Sequence, residues 1–177
     1  MQYTSLPVSE HELVKLRPLV PADIPQWYQY LTQPVVFEHT SWNVQSLADL
    51  EPYAAQTQLP SSLLRLAIAD RSTDELVGTI GFHTVSPDNR TAELAYDLSP
   101  PWWGKGIASH ACEVMVAWAH SHAGLLRVQA TVLNSNSRSI EVLQRCGFKR
   151  EGLLRSYRIV RGRPGDFWMY SHVQDAA

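Results

Sequence analysis

The sequence predicts a single α/β domain in which helices cover both faces of one mixed, mostly antiparallel sheet of about seven strands. Three observations lead to this fold class. A strand pattern and a helical pattern open the chain, three strand patterns follow one another in the middle, and helices alternate with strands toward the end. Because each element has an apolar side, a sheet between two helical layers buries all of them.

The first strand and the first helices follow from the periodicity of their apolar residues. Residues 13–20, LVKLRPLV, mix apolar and polar side chains as a strand with one buried face does. In residues 21–33, Asp23 stands where a helix cap is expected, and apolar side chains follow it at helical spacing. A second short helix is predicted over residues 46–56, although Pro52 leaves its register open.

Three consecutive strands form a predicted antiparallel meander in the middle of the chain. The segments DRSTDE and SPDNR that connect them are rich in turn-forming residues. The second half carries a helix at 106–121 with a continuous apolar face, and a helix at 136–147 that ends at Gly147. The remaining predicted strands, from the meander onward, are 63–70, 75–85, 91–99, 126–133, 148–160 and 166–173.

Composition limits the classes of protein to which this chain can belong. It has 177 residues, 45% of them apolar, which suits one domain over residues 1–177 with a substantial core. The formal charge of -2 gives no positive field, so we expect no nucleic-acid partner. Cys112 and Cys146 are too few for a disulfide framework. With no signal-peptide pattern and no long apolar run, the sequence predicts a cytoplasmic protein with no membrane partner.

The segment PPWWGKGIASHA, residues 101–112, places two glycines between a predicted strand and a predicted helix. Glycine permits a positive φ angle, and the unpaired N–H groups of a helix N-terminus attract anions. Two nucleotide-binding motifs are excluded. Lys105 is followed by Gly106 rather than by the hydroxyl residue of the nucleoside-triphosphate loop. Ser109 occupies the third glycine position of the dinucleotide fingerprint.

A third interpretation of this loop is a family resemblance. LAYDLSPPWWGKGIASHA, followed further along by NSNSRSIEVLQRCGF, resembles the GNAT superfamily of acyl-CoA-dependent N-acyltransferases. Pro101 replaces the Gln or Arg that usually leads the loop, and the W-G-x-G form is similar to that of the ribosomal-protein N-terminal (alanine) acetyltransferase branch. The opening LRPLVPADIPQWYQYL also resembles that branch. The likeness covers nearly the whole chain and implies acetyl-CoA as cosubstrate, with no metal.

The resemblance implies where acetyl-CoA binds. The loop is expected to hold the pyrophosphate through backbone N–H groups, and Lys105 would add charge. The preceding strand is expected to bulge around 96–99 and to part from the next strand, so that its backbone binds the pantetheine arm and the acetyl oxygen. Asn136 would orient that arm or a water, or would cap its helix. The expected cosubstrate-binding residues are Tyr96, Asp97, Leu98, Ser99, Trp103, Gly104, Lys105, Gly106, Ile107, Ala108 and Asn136.

Direct attack of an amine on the thioester requires two proton transfers. Glu93 is the first choice for the catalytic group that takes the amine proton, because it matches the A-E-x-x-Y pattern of the branch, while Asp97 and His83 stay open as alternatives. Alternation places Glu93 and Asp97 on one face of the strand unless a bulge intervenes. Many relatives protonate the thiolate with a tyrosine where this chain has Leu143, so catalytic Ser139 or a water is expected to do so.

Other groups of residues carry weaker signals. Four potential metal ligands lie in or just after the helix at 106–121 and point in different directions around its axis, so no metal site is predicted: His110, Cys112, His120 and His122. Trp102 and Trp103 either anchor the glycine loop or stack on adenine; anchoring is expected for one of them, and the role of the other stays open. The arginines of RIVRGRPG, residues 158–165, are interpreted as a solvated hairpin turn, with binding of an acidic substrate or the 3′-phosphate as the alternative. Four aromatic residues either roof a substrate cleft or join the core: Trp27, Tyr28, Trp42 and Tyr53.

The resemblance implies transfer of an acetyl group to a primary amine, either at a protein N-terminus or on a small molecule. At pH 7 roughly one α-amine in seven is uncharged, against roughly one lysine side chain in 2500, so a weak base suits an α-amine better. A non-catalytic acyl-CoA-binding or sensor module of the same fold stays open as the alternative. Members of the family often pair, which leaves a homodimer open as well.

Overall fold

A computed structural model describes residues 5–55 and 64–174, which fold around one seven-stranded sheet. The first half of the chain supplies β1 (Val14–Pro18), α1 (Ile24–Leu31), α2 (Pro34–Phe37), α3 (Glu51–Ala55), β2 (Leu64–Asp70), β3 (Leu76–Ser86) and β4 (Thr91–Leu98). The second half supplies α4 (Ile107–Ser121), β5 (Arg127–Leu133), α5 (Ser137–Arg145), β6 (Lys149–Val160) and β7 (Arg163–Val173).

The strands lie in the order β1-β2-β3-β4-β5-β7-β6, and every neighbouring pair is antiparallel except β4 and β5. The predicted mixed, mostly antiparallel sheet of about seven strands is therefore confirmed. β7 begins at Arg163, earlier than predicted, because only a tight turn separates it from β6. Arg161 and Gly162 in that turn have positive φ angles of 51° and 76°, as hairpin turns require.

The helices differ from the prediction where proline intervenes. The helix predicted over 21–33 is a single 3₁₀ turn followed by α1 and, beyond a break, α2. The break lies at Gln33, whose extended backbone (ψ 133°) is the conformation that a following proline favours. The helix predicted over 46–56 is a 3₁₀ turn followed by the short α3. Residues 56 and 63, at the ends of predicted elements, lie outside the described residues.

Two apolar clusters cover the opposite faces of the sheet. On one face α4 packs through Ile107, Met115 and Trp118 against alternate residues of the central strands. On the other face the N-terminal helices pack through Trp27 and other apolar side chains. Burying each large apolar side chain contributes about 1.5–3 kcal/mol, so the two layers together hold the sheet. Within residues 5–55 and 64–174, no helix is long and apolar enough to cross a membrane.

β4 and β5 pair at one end only. Thr91–Glu93 pairs with Arg127–Gln129, and beyond these residues the two strands share no ladder among the described residues. β4 nevertheless stays paired with β3 as far as Leu98, and β5 stays paired with β7 as far as Leu133. The two strands therefore part in the middle of the sheet and leave a gap between them, as the family resemblance implies.

An extra residue of β3 stands beside this gap. Phe82 pairs with Leu94 and Thr84 pairs with Glu93, so His83 is inserted into the ladder. The bulge that the resemblance implies at 96–99 is not found in the described β3–β4 ladder, which runs without a register shift from Leu94 onward. Alternation along β4 is therefore kept, and Glu93 and Asp97 lie on the same face of the sheet.

Candidate active site

The loop between β4 and α4 has the geometry of an anion-binding turn. Gly104 and Gly106 have φ angles of 74° and 75°, in the left-handed region that other residues rarely adopt. α4 begins immediately afterwards at Ile107, and the N–H groups of its first turn have no partner within the helix. A Cβ atom at either glycine would meet no described atom within 4 Å, so the space beside the loop is open. Backbone N–H groups can therefore bind an anion here.

A cavity of about 500 Å³ lies between this loop, the end of β4 and α5, and we call it the glycine-loop cavity. Arg138 and Arg145 of α5 line it and add positive charge beside the N-terminus of α4. Backbone N–H groups together with guanidinium groups are suited to phosphate oxygens. The sequence-predicted residues that line this cavity are Tyr96, Asp97, Leu98, Trp103, Gly104, Gly106, Ile107, Ala108 and Asn136.

Two sequence-predicted residues, Ser99 and Lys105, are not among the described residues that line the glycine-loop cavity. The Ser99 N–H donates to the Val77 carbonyl (2.8 Å), which extends the β3–β4 ladder by one residue. The Nζ atom of Lys105 lies 4.5 Å from the centre of the Trp102 ring. The serine amide is thus occupied by the sheet, and the lysine stacks on an aromatic ring.

Trp103 fixes the glycine loop to the end of β4. Its indole Nε1 donates to the carbonyl of Leu98 (2.7 Å), five residues earlier. The guanidinium carbon of Arg138 lies 4.3 Å from the centre of the same ring, so Trp103 also positions a basic side chain of the cavity. One tryptophan therefore anchors the loop, as predicted from the sequence.

A second cavity, the central cavity, has a volume of about 620 Å³ and opens where β4 and β5 part. Trp42 and Tyr53 form part of its wall, with their ring centres 5.4 Å apart in an edge-to-face contact. Trp27 packs behind them and is fully buried. Tyr28 points elsewhere, because its hydroxyl donates to the Gln45 carbonyl (3.0 Å). Of the four aromatic residues, two face the cleft and one belongs to the core.

The two cavities meet at Tyr96 and Ser139, which line both of them. The Tyr96 hydroxyl lies 2.8 Å from Ser139 Oγ, and it also donates to the Ser139 carbonyl (3.1 Å). Burial raises the pKa of Tyr96 far above its ordinary value, so the phenol stays protonated at neutral pH. Two hydroxyl groups are thus held together at the junction of the cavities.

Asn136 caps α5 at the same junction. Its Oδ1 accepts the Ser139 N–H (3.1 Å), the standard bond of a helix N-cap. Its Nδ2 donates to the His39 carbonyl (2.8 Å), which fixes the segment after α2 against α5. The side chain therefore positions Ser139, and it lines both cavities while doing so.

Glu93 lies behind the wall of the central cavity. Its side chain is 6% exposed, and three side chains that do line the cavity contact its Oε1. They are Thr131 Oγ1 (2.6 Å), Arg158 Nη2 (2.9 Å) and His83 Nε2 (3.4 Å). Burial alone raises the pKa of Glu93, but the hydrogen bonds from His83 and Thr131 and the charges of His83 and Arg158 outweigh it, and the pKa falls to about 2. A carboxylate with so low a pKa is a weak proton acceptor.

Asp97 is held in a buried network on the same face of β4. Its side chain is 1% exposed. One carboxylate oxygen accepts from the Trp27 indole (3.1 Å) and from the Tyr30 hydroxyl. The other accepts from Arg65 Nη2 (2.6 Å) and Thr79 Oγ1 (2.9 Å). With four donors directed at it, this carboxylate ties β4 to β2, β3 and α1, and it is poorly placed to accept a proton from a substrate.

The hairpin between β6 and β7 is present as predicted, but two of its arginines are engaged by the protein. Arg158 reaches Glu93 and lines the central cavity. Arg161 donates to three backbone carbonyls of residues 37–40 at 2.8 to 3.1 Å. Arg163 is exposed. The hairpin is thus fixed to the segment after α2 that contributes to both cavities.

The histidines of α4 are engaged separately from one another. His110 Nε2 lies 3.1 Å from Ser9 Oγ, and His120 Nε2 lies 3.0 Å from Nδ1 of His172. In the part of the chain that the structure describes, no group of three or more His, Cys, Asp or Glu residues is placed to hold a metal ion. The two cysteines, one on α4 and one after α5, are buried and form no disulfide.

Comparison with known proteins identifies the architecture around these cavities. The sequence matches the family model of the acetyltransferase (GNAT) domain over residues 14–149. The chain belongs to the GNAT acetyltransferase family. This GNAT acetyltransferase is 32% identical over 164 residues to the uncharacterized N-acetyltransferase p20 of Bacillus licheniformis. The aligned region covers 90% of this chain and 92% of that protein.

The predicted resemblance to ribosomal-protein acetyltransferases is also confirmed. The ribosomal-protein-serine acetyltransferase of Escherichia coli (strain K12) is 31% identical to this GNAT acetyltransferase over 103 residues, 58% of each chain. Among solved structures, RimL, a ribosomal L7/L12 alpha-N-protein acetyltransferase in complex with coenzyme A, has a similar fold. The TM-score is 0.83 at 20% identity, over 96% of this chain and 99% of that one. The protein is thus a GNAT-family N-acetyltransferase.

Several side chains of this GNAT acetyltransferase that surround the site lie outside the sequence prediction. Arg138 stands in the first turn of α5, two residues after Asn136, and a basic residue so close to a cofactor motif is a usable signal. The contacts of Thr131 and Arg158 with Glu93 could not be found in this way, because they depend on the order of the strands in the sheet. Tyr96 is part of the A-E-x-x-Y pattern, but the sequence predicts a role only for the backbone around residues 96–99 and none for the Tyr96 hydroxyl.

Proposed function

We propose that this GNAT acetyltransferase transfers an acetyl group from acetyl-CoA to a primary amine, which attacks the thioester directly while both substrates are bound. The observation that supports this most strongly is the meeting of the glycine-loop cavity and the central cavity at Tyr96 and Ser139. A donor in the first cavity and an amine in the second would be held side by side. Such proximity replaces an encounter in solution by a reaction within one complex.

The glycine-loop cavity is the proposed site of acetyl-CoA. Gly104, Gly106 and the first turn of α4 offer backbone N–H groups to the pyrophosphate, and Arg138 and Arg145 add charge. When bound, acetyl-CoA supplies the acetyl thioester that the amine attacks. The part of β4 that has left β5 offers N–H groups that would bind the pantetheine arm and polarise the thioester carbonyl.

We assign removal of the amine proton to His83, with Glu93 as its positioning residue. His83 lines the central cavity, whereas Glu93 lies behind it with its Oε1 3.4 Å from His83 Nε2. This contact favours the tautomer with the proton on Nε2, which leaves Nδ1 to accept the proton of the amine. The low pKa of Glu93 keeps it charged, so that it stabilises the imidazolium that forms.

Ser139 is the proposed proton donor to the departing thiolate. Leu143, at the position of the usual tyrosine, lines the central cavity but has no proton to give. Ser139 Oγ lies at the junction of the two cavities, 2.8 Å from the protonated hydroxyl of Tyr96. As the serine proton passes to the thiolate, the phenol, which keeps its own proton, can donate a hydrogen bond to the serine oxygen, and water from the cavity then restores the serine proton.

The central cavity is suited to an amine with one positive charge. Its two arginines are paired with carboxylates, Arg65 with Asp97 and Arg158 with Glu93. Among the described lining residues Asp49 is the one carboxylate, and it is occupied by the backbone N–H groups before α3. A polyamine would find few counter-charges here. We therefore propose that the acceptor is the α-amine of a protein N-terminus or a small monoamine. A cytoplasmic location and a homodimer both remain predictions.

The proposal is tested by following thiol release from acetyl-CoA in the presence of alaninamide, isopropylamine, spermidine and an alanine-initiated tripeptide. The α-amines are expected to give the fastest release. His83→Asn is expected to lower kcat about 10²- to 10⁴-fold, while acetyl-CoA binding is kept. His122→Asn, at an exposed histidine near the end of α4, is the matched control and is expected to change neither.

Two results would contradict parts of this proposal. If acetyl-CoA binds but no amine releases the thiol, the chain is a non-catalytic acyl-CoA-binding module. If His83→Asn keeps its rate within threefold at every pH, His83 is not the base, and Glu93 acting through a water takes its place.

A further inference from the structure

We propose that Arg158 binds an oxygen atom carried next to the acceptor amine, so that the enzyme selects amines with a carbonyl or carboxylate group on the adjacent carbon. The inference rests on the proposed function, because it assumes that the amine occupies the central cavity. It assigns a role in substrate selection to a side chain of β6, one of the two edge strands of the described sheet.

A distortion of β6 directs Arg158 toward the cavity. The pairing of β6 with β7 shifts register between Leu154 and Arg158. Within the shift, Ser156 has a φ angle of 50°, a conformation that residues other than glycine rarely adopt. Its N–H donates to the Asp166 carboxylate (2.7 Å), which holds the distorted backbone in place. Bulges of this kind re-aim the side chains that follow them, and Arg158 is the residue at its end.

Arg158 has hydrogen-bond donors to spare. Its bond to Glu93 uses Nη2 alone, and no other described residue accepts a hydrogen bond from its guanidinium. A guanidinium carries five N–H groups in a rigid planar fork, so most of them remain available to a ligand. The rings of Tyr157 and Phe167, 5.0 and 5.5 Å from its central carbon, keep the fork in position.

The other arginine of the central cavity is different. Arg65 donates to Thr79 through Nε and Nη2, to Asp97 through Nη2 and to the Ala95 carbonyl through Nη1. All three of its nitrogens are thus engaged, and its side chain is 4% exposed. Arg158, at 32% exposed, is therefore the arginine of this cavity that can bind substrate.

Arg158 also lies at a suitable distance from the proposed base. Its Nη2 and His83 Nε2 contact the same Glu93 oxygen, at 2.9 and 3.4 Å, so they are no further apart than the sum of these distances. In an α-amino carbonyl compound the nitrogen and the oxygen are three bonds apart. The proposal places the amine at Nδ1 of the same imidazole ring and the oxygen at the guanidinium of Arg158. A free amino acid and the first residue of a peptide share this chemistry, because guanidinium groups bind carboxylates and carbonyls alike.

The test compares two acceptors in wild-type enzyme and in Arg158→Gln. Alaninamide carries the neighbouring carbonyl and isopropylamine does not, so the ratio of their kcat/KM values reports the proposed contact. This ratio is expected to fall about 10- to 100-fold in the variant, as for loss of a charged hydrogen bond. Arg155→Gln, at an exposed arginine in the same distortion, is the matched control and should leave the ratio unchanged. Free alanine and an alanine-initiated tripeptide, compared directly, distinguish an amino acid from a peptide as acceptor.

Three outcomes are decisive. A lower ratio supports the inference, whichever of free alanine and the tripeptide is preferred. A ratio that stays within threefold overturns it, even if both rates fall, because Arg158 would then act only through Glu93. Should Arg158→Gln fail to fold, Arg158→Lys keeps the charge but loses the fork, and the ratio must fall in that variant too. A wild-type enzyme that acetylates neither of these amines, and neither free alanine nor the tripeptide, refutes the proposed function itself.

Discussion

The glycine-loop cavity and the central cavity lie side by side but are built from different parts of the polypeptide. In the glycine-loop cavity the main groups are backbone N–H groups, placed by two left-handed glycines and the start of α4. In the central cavity the main groups are side chains from β3, β5 and β6 that meet on one carboxylate, Glu93. The main groups of the glycine-loop cavity are close together in the sequence, whereas those of the central cavity come from distant parts of it.

This difference has consequences for how each cavity responds to substitution. A backbone site depends on φ angles, so a change there disturbs ligand binding more than folding. A side-chain site assembled around buried charges depends on every partner, because a charge left without its partner in the interior costs several kcal/mol. We therefore expect the largest losses of stability around the central cavity, and the most selective losses of binding at the glycine loop.

The largest loss of stability is expected from Asp97→Asn. The amide cannot accept from all four of the donors that Asp97 serves, and it leaves Arg65 buried without its counter-charge. The free energy of unfolding in urea should fall by about 3–5 kcal/mol. Asp74→Asn is the control, because that side chain is 58% exposed and solvent screens its ion pairs with Lys15 and Arg17. Equal losses in the two variants would mean that burial of the Asp97–Arg65 pair does not set its contribution to stability.

A smaller effect is expected for Glu93, and it depends on pH. Because its pKa in the folded protein, about 2, is below the ordinary value of 4.5, ionised Glu93 stabilises the fold above pH 4.5. This stabilisation, about 3 kcal/mol in full, is lost as the pH falls toward 2. The difference in unfolding free energy between wild type and Glu93→Gln should therefore shrink between pH 6 and pH 3.

Glu151 is the matched control for this measurement. Its pKa is also about 2, through hydrogen bonds from Arg127 and Ser171, but its side chain is 42% exposed. Solvent screens such a pair, so Glu151→Gln should show a weaker dependence on pH. A stronger dependence at Glu151 than at Glu93 would mean that burial does not distinguish the central cavity.

The smallest effect on stability, and the most selective one, is expected at the glycine loop. Gly106 and Gly162 have nearly the same φ angle, 75° and 76°, and a Cβ at either would meet no described atom within 4 Å. Alanine at each position should cost about 1–2 kcal/mol of unfolding free energy. Only Gly106→Ala is expected to weaken acetyl-CoA binding, by tenfold or more in calorimetry. Similar affinities of the two variants for acetyl-CoA would mean that the glycine loop does not bind this ligand.

The same contrast explains how much the sequence could predict. Gly104, Gly106 and the start of α4 are consecutive, so a short pattern is enough to find the glycine-loop cavity. The seven strands are also local features, bounded by turn-forming residues. The break at Gln33 was within reach as well, because Pro34 disfavours helical backbone before it.

The central cavity could not be predicted in the same way. Glu93 receives Thr131 and Arg158 from 38 and 65 residues further along the chain. Those contacts exist because β7 lies between β5 and β6, an order that local periodicity does not encode. The inserted His83 shifts the register beside Glu93, and a single extra residue in a strand leaves no mark in the alternation of its neighbours.

The parting of β4 from β5 divides the sheet into two halves, β1 to β4 and β5 to β7, and in the part of the chain that the structure describes these halves share a strand ladder at one end only. At the other end the halves are spanned by contacts such as Asn136 with His39 and Arg161 with residues 37–40. A molecule bound in that opening would contact both halves of the sheet. Because backbone pairing joins the two halves at one end, we expect occupancy of the opening to affect the distance between them at the other end.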